Sequence, residues 1–168
     1  MLLNEISIKK IEQENKDGFP NTKKRQHIVN LVNARNITFV PYDQSGDLTV
    51  KSSVLSKGHT YNASIEFSNV RYHERGPVSF RGSDNEVYNI DPIRIWTNDV
   101  KLSCECLDFR FRFANLHNNN DSLLGDPPPP YMKVPGSNRP PVNPFNALGA
   151  CKHLLAVSNR LYNMRVIR

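Results

Sequence analysis

The three cysteines of this 168-residue chain fall into two short pairs with a histidine as the fourth member: Cys104 and Cys106 in "SCEC", Cys151 and His153 in "ACKH". Thiolate and imidazole are donors that a tetrahedral zinc ion takes, at about 2.3 Å and about 2.0 Å respectively. On a regular strand, residues i and i+2 sit about 6.5–7 Å apart along one face. A shared ion therefore requires "SCEC" to lie where a strand ends and the backbone curls. Cys151 is expected just ahead of a helix, with His153 in its first turn, where the chain again curls and the helix N-terminus favours thiolate charge. No cysteine is left over. Cys104, Cys106, Cys151 and His153 are accordingly expected to bind Zn2+, with an iron–sulfur cluster as the alternative. The competing reading makes the three thiols small buried hydrophobes.

The same set argues against catalysis. A catalytic zinc keeps one position open for water, whereas four protein ligands close the shell. Glu105 and Asp108, the nearest carboxylates, read as solvent-facing charge or a helix cap rather than as acid–base groups. No nucleophile elbow, phosphate-binding glycine loop or metalloprotease helix is present. The expectation is a protein that is not an enzyme, with no catalytic residues. His27, His59, His73 and His117 have no partner at metal spacing and read as surface or core polar residues.

The elements that must position these ligands suggest an α+β fold. "ISIKKI" alternates briefly, and "NKDGFP" is turn-like. Thr22 or Asn21 can cap a helix over residues 22–34, carrying Ile28, Leu31 and Val32 at helical spacing. From Ile37 to Trp96, "NITFVPY", "DLTVKSSV", "TYNASIEFSNVRY", "GPVSF", "NEVYNI" and "IRIW" read as short strands separated by turn chemistry, which predicts an antiparallel barrel or sandwich. "DVKLS" is a strand leading into Cys104. Asp108 can cap a helix from there to His117, with Phe109, Phe113 and Leu116 on one stripe. Eight of the twelve prolines lie between Pro127 and Pro144. Residues 118–149 therefore read as an extended Pro-rich loop, neither sheet nor helix. Leu154, Val157, Leu161 and Met164 define a C-terminal helix. Two units result: a β-rich region over 1–98 and a strand–knuckle–helix zinc module over 99–168 that encloses the loop.

The formal charge of +6 suits nucleic acid or an acidic protein surface. Lys23, Lys24 and Arg25, together with Arg110 and Arg112 of "FRFRF", are the candidate phosphate contacts. In the bland reading the phenylalanines are core and the arginines are solvated or paired. No apolar run reaches the about 18 residues of a membrane span, and "MLLNEISIKK" meets Asn4 and Glu5 too early for a secretory signal. An odd cysteine count gives no closed disulfide framework. A reducing setting, virion or host cytoplasm, without secretion or membrane contact, is the expectation.

Cys-x-Cys, a gap, then Cys-x-His resembles the SWIM-type zinc finger, a strand–strand–helix frame associated with binding DNA or protein in transposases, chromatin remodellers and recombination accessory factors. The resemblance implies Cys104, Cys106, Cys151 and His153 as ligands and "CKHLLAV" as the terminal helix. Here residues 107–150 place 44 positions in the gap, more than the finger usually has. Residues 100–160, with "CxCxDFRFRF", the Pro-rich loop and "CKHLL", are also similar to small zinc-finger-like virion proteins of tailed bacteriophages. That similarity implies a structural component of a tail, baseplate or neck. Its partners would be other subunits of the assembly, contacted through residues 118–149. The alternative is a nucleic-acid-binding zinc protein of recombination or transposition type.

Overall fold

The computed structural model describes residues 6–19, 32–129, 132, 134–138 and 141–168. Within them the chain folds as an α+β protein. Helix α1 (Ile8–Gly18) is followed by strands β1 (Asn33–Tyr42), β2 (Asp47–Ser56), β3 (His59–Phe67), β4 (Tyr72–His73), β5 (Val78–Arg81), β6 (Val87–Ile90) and β7 (Val100–Cys104). Helices α2 (Leu107–Arg112), α3 (Ala114–Asn119) and α4 (Lys152–Asn163) complete the order. No helix among the described residues is long and apolar enough to cross a membrane.

The strands form two antiparallel sheets, β1-β2-β3-β7 and β4-β6-β5. The first is a meander extended by β7, which pairs with β3 from Ala63 opposite Cys104 to Phe67 opposite Val100. The segments 1–98 and 99–168 therefore contribute strands to one sheet. Strand periodicity puts Ala63, Ile65 and Phe67 on the buried face of β3, and Val100, Leu102 and Cys104 on that of β7. Helix α4 lies across β1, β2, β3 and β7 and inserts Leu154, Val157 and Leu161 into the core. Burying each such side chain contributes about 1.5–3 kcal/mol, which is what fixes the helix to the sheet. After α4 the chain returns to the segment following Pro92, where Ile167 bridges Ile93. The smaller sheet meets the larger through Phe39 and Phe80, whose ring centroids are 4.7 Å apart.

Several expected elements differ. The N-terminal helix is α1, within the stretch that alternation and turn chemistry described. Ser7 caps it, accepting from the Lys10 amide at 3.3 Å, and Ile8, Ile11, Asn15 and Gly18 form its buried stripe. The helix expected over 22–34 lies outside the described residues except at its end, where Asn33 and Ala34 already belong to β1. "IRIW" is a turn: the Asn98 carboxamide accepts from the Arg94 amide at 3.0 Å, and the Thr97 and Asn98 amides donate to Arg94 O. The single helix expected after Cys106 is two, broken at Phe113, and its N-cap is Cys106 rather than Asp108. Residues 118–149 are more structured than an extended loop: Asn118 and Asn119 finish α3, and Leu123 bridges Leu102 along the outer edge of β7.

Candidate metal centre

Cys104 is the last residue of β7 and continues its inward row. The ladder ends there: the Glu105 amide donates to Asn62 O at 3.1 Å, and the chain turns directly into α2. This turn brings Cys106 back beside Cys104 in place of the strand spacing. Cys106 is the N-cap of α2, and its Sγ accepts from the Phe109 amide at 3.3 Å. An amide donor aimed at sulfur favours the thiolate form. Across the core, Cys151 is the N-cap of α4 and makes no side-chain capping bond, so its sulfur is turned to the cluster. His153 follows in the first turn. One donor atom from each of the four residues lies within 4.8 Å of all the others, and all four residues are buried.

The electrostatics describe three thiols sharing one small volume. Hydrogen bonds from Cys104 and Cys151 hold Cys106 well below the ordinary thiol range. The Cys104 thiol, donating to Cys106, is pushed up to about 12. Burial, then the proximity of the other two sulfurs, raises Cys151 well above its usual value. Like charges repel in a dry site, so each thiolate formed raises the cost of the next. A bound cation reverses that balance and draws every coordinating thiol to the thiolate.

The imidazole has no competing role. His153 Nδ1 stands 3.8 Å from Cys104 Sγ, and Nε2 is buried with no hydrogen-bond partner among the described residues. Tyr61 of β3 stacks on the ring at 4.4 Å between centroids and holds its plane.

Around the ligands are residues that neighbourhood in sequence did not reveal. Glu105 reaches outward and clamps the knuckle to β3, accepting from the Asn62 amide at 3.1 Å and from Asn62 Nδ2 at 3.0 Å. Asn15 of α1 grips the residue before Cys151 with both ends of its carboxamide: Ala150 N donates to Oδ1 at 3.1 Å and Nδ2 donates to Ala150 O at 3.0 Å. His117 Nε2 donates to Gly149 O at 2.8 Å, leaving Nδ1 of the neutral ring to accept from Ser122 Oγ at 2.7 Å. It is a core polar histidine, as its isolation in sequence suggested. Gly149 has no room for a side chain, because a Cβ would run into Asn15 Oδ1 and Phe113. Asn143 closes the return of the Pro-rich segment, donating to Arg112 O at 3.1 Å and to Ala147 O at 2.9 Å. Both halves of the clasp are thus fastened independently of any ion.

Of the basic candidates, the structure describes Arg110 and Arg112. Lys23, Lys24 and Arg25 lie outside the described residues. The Arg112 side chain is only 11% exposed, pairs with Asp108 at 3.3 Å and covers the Phe19 and Phe113 rings. Arg110 lies over the exposed Phe111 ring, while Phe109 and Phe113 are core. Comparison with known protein families, with characterised proteins and with solved structures gives no match to this chain. The four-residue group is what remains, and it can hold one metal ion.

Proposed function

We propose that this chain is a non-enzymatic structural protein whose Cys104, Cys106, Cys151 and His153 bind one Zn2+, and that it serves as a component of a tailed-phage virion. The observation that carries the reading is the closed, buried set of four donors within 4.8 Å of one another. A tetrahedral zinc with bonds of about 2.3 Å to sulfur and about 2.0 Å to nitrogen has sulfur–sulfur edges of about 3.8 Å and sulfur–nitrogen edges of about 3.5 Å. The 3.8 Å between His153 Nδ1 and Cys104 Sγ is close to such an edge. An iron–sulfur cluster spreads its thiolates over several irons and holds the donors further apart, which favours the single ion. The SWIM-like order of the ligands supports the same choice. When bound, the ion supplies folding free energy rather than a reactive water, because no ligand position is left open. What the residues do is tie the end of β7 and the start of α2 to the start of α4.

The assembly role rests on the excursion between the two halves. Its described part exposes Met132 (86%), Val134 and Phe145 (70%) while its ends are fastened by Asn143, His117 and Asn15. Exposed apolar side chains gathered on one fastened segment are the pattern of a protein contact. The similarity to zinc-finger-like virion proteins makes a tail, baseplate or neck the setting.

The test is light scattering and native mass spectrometry of the full chain, wild type against a Met132→Asp/Phe145→Asp variant, with metal content measured in both. A defined oligomer that the variant loses, at unchanged metal content, is the expected result. A wild-type chain that stays monomeric at high concentration, alone and in lysate of phage-infected cells, would overturn the assembly reading.

A further inference from the structure

The single tryptophan of the chain is not in the core. Trp96 is 67% exposed, in the turn that replaces the expected strand "IRIW". That turn is where distant basic residues converge, and backbone hydrogen bonds fasten each of them to it. The Lys9 amide donates to Ile95 O at 3.0 Å, and the Arg168 amide donates to Ile93 O at 2.9 Å. The Asp91 amide donates to Arg71 O at 3.1 Å. Arg94 is part of the turn itself, held by Asn98, whose Nδ2 also donates to Ser68 O at 2.7 Å.

Two concavities flank the turn. On one side is a cleft of about 590 Å3 lined by Arg71, Arg94 and Arg168 with the polar side chains of Ser45, Asn69 and Thr97. On the other, Lys9 and Lys10 stand beside Trp96, with Lys9 Nζ 5.3 Å from the ring centroid. Each concavity also holds a carboxylate: Asp91 lines the arginine cleft and faces His73 at 3.2 Å, and Glu14 lines the lysine concavity and accepts from the Leu148 amide at 3.3 Å, while Glu12 pairs with Lys9 at 3.6 Å and leaves Lys10 as the free cation on that side among the described residues. None of the three arginines is paired with a carboxylate among the described residues. Trp96 thus stands exposed beside Lys9 and Lys10, while Arg94 and Thr97 of the same hydrogen-bonded turn line the arginine cleft.

We infer that this face binds single-stranded nucleic acid, with Trp96 stacking on a base and Arg71, Arg94, Arg168 and Lys10 contacting successive phosphates. Stacking on an exposed aromatic and a basic track along the backbone are the two parts of sequence-tolerant single-strand binding. An acidic protein would use the cations but not the ring plane. The site shares no residue with the metal centre, and it goes beyond the assembly role by giving the particle a contact to a nucleic acid strand.

The lone tryptophan makes the test direct. The full-length, metal-loaded chain is titrated with oligo(dT), with heparin and with poly-glutamate while Trp emission is followed. Anisotropy of labelled oligo(dT) is then read for wild type, Trp96→Ala and Arg94→Ala at several salt concentrations. Expected are quenching by oligo(dT) alone and a loss of affinity of about tenfold or more in Trp96→Ala. Four phosphate contacts on a single strand give a log–log salt slope of about −3, from which Arg94→Ala removes about 0.7. Unchanged metal content and far-UV spectrum show that the variants are folded. Absence of oligo(dT) binding, binding without quenching, or equal affinity in Trp96→Ala would overturn the inference. So would tighter binding of poly-glutamate than of oligo(dT), which would assign the face to an acidic protein.

Discussion

Asn15 offers the sharpest test of how the fold places the fourth corner of the clasp. It is 135 residues from Ala150, is itself buried, and satisfies both backbone groups of the residue that precedes Cys151. In Asn15→Leu, which keeps the branched outline but not the polar atoms, the Ala150 N–H and C=O remain in the core without their partner. Each unsatisfied group costs about 1–3 kcal/mol, and part of that returns if water enters or the segment shifts. A net loss of about 3 kcal/mol is the reasonable expectation, and for a chain of this size it lowers Tm by about 6–12 °C. Because the segment that shifts carries Cys151, metal affinity should fall as well, by about 10–100-fold, the usual effect of losing a group that orients a ligand. The assay pairs urea denaturation with a competitive chelator titration, in wild type, Asn15→Leu, Cys151→Ser and the double variant. The account requires non-additivity: once Cys151 is gone, Asn15→Leu should no longer affect metal affinity. Stability within 0.5 kcal/mol of wild type, or strict additivity in affinity, would refute the coupling.

Three further outcomes follow from the same geometry. Glu105→Ala removes both bonds to Asn62 on an exposed turn, so global stability should change by about 1 kcal/mol or less while metal dissociates faster in stopped-flow chelator exchange; an unchanged rate would remove Glu105 from the account. Gly149→Ala forces a Cβ against Asn15 and Phe113 and should cost about 1–3 kcal/mol in denaturant unfolding; a stability equal to wild type would refute the close packing there. Burial holds His117 below the ordinary histidine pKa, so the unfolded chain takes up a proton that the folded chain refuses. Its contribution is therefore complete above about pH 6.5 and declines as pH falls below it, and stability measured from pH 7.5 to 5 should drop more steeply in wild type than in His117→Gln.

The clasp itself was legible because its signals are local. Two-residue spacing at Cys104 and Cys106 demands a curled backbone, strand alternation through Val100 and Leu102 aims Cys104 inward, and the stripe from Leu154 to Leu161 sets the helix that presents His153. The parts that were not legible depend on distance or on competing local choices. Asn15 reads as an ordinary polar helix residue until α1 is docked against Ala150. Ser7 capping decided for a helix where "ISIKKI" alternates over too few residues to specify a strand. Pro92 and Asn98 made a turn of "IRIW", whose β-branched and aromatic composition argues for strand; tertiary hydrogen bonds overrode the propensity. Asp108 is a good N-cap by type, yet the metal-side geometry places Cys106 at that position and leaves Asp108 to pair with Arg112. The prolines marked the excursion between the half-sites but gave no sign that its two ends are fastened to β7 and α1.

The most direct test of the central claim is elemental analysis, with native mass spectrometry, of the full chain purified under reducing conditions without added metal, beside Cys104→Ser and Cys151→Ser variants. The account predicts one zinc per wild-type chain, substoichiometric zinc in both variants, and a lower Tm when wild type is stripped with chelator. A wild-type chain that is fully folded with neither zinc nor iron, its three thiols free, would contradict it; iron with inorganic sulfide would contradict the choice of zinc.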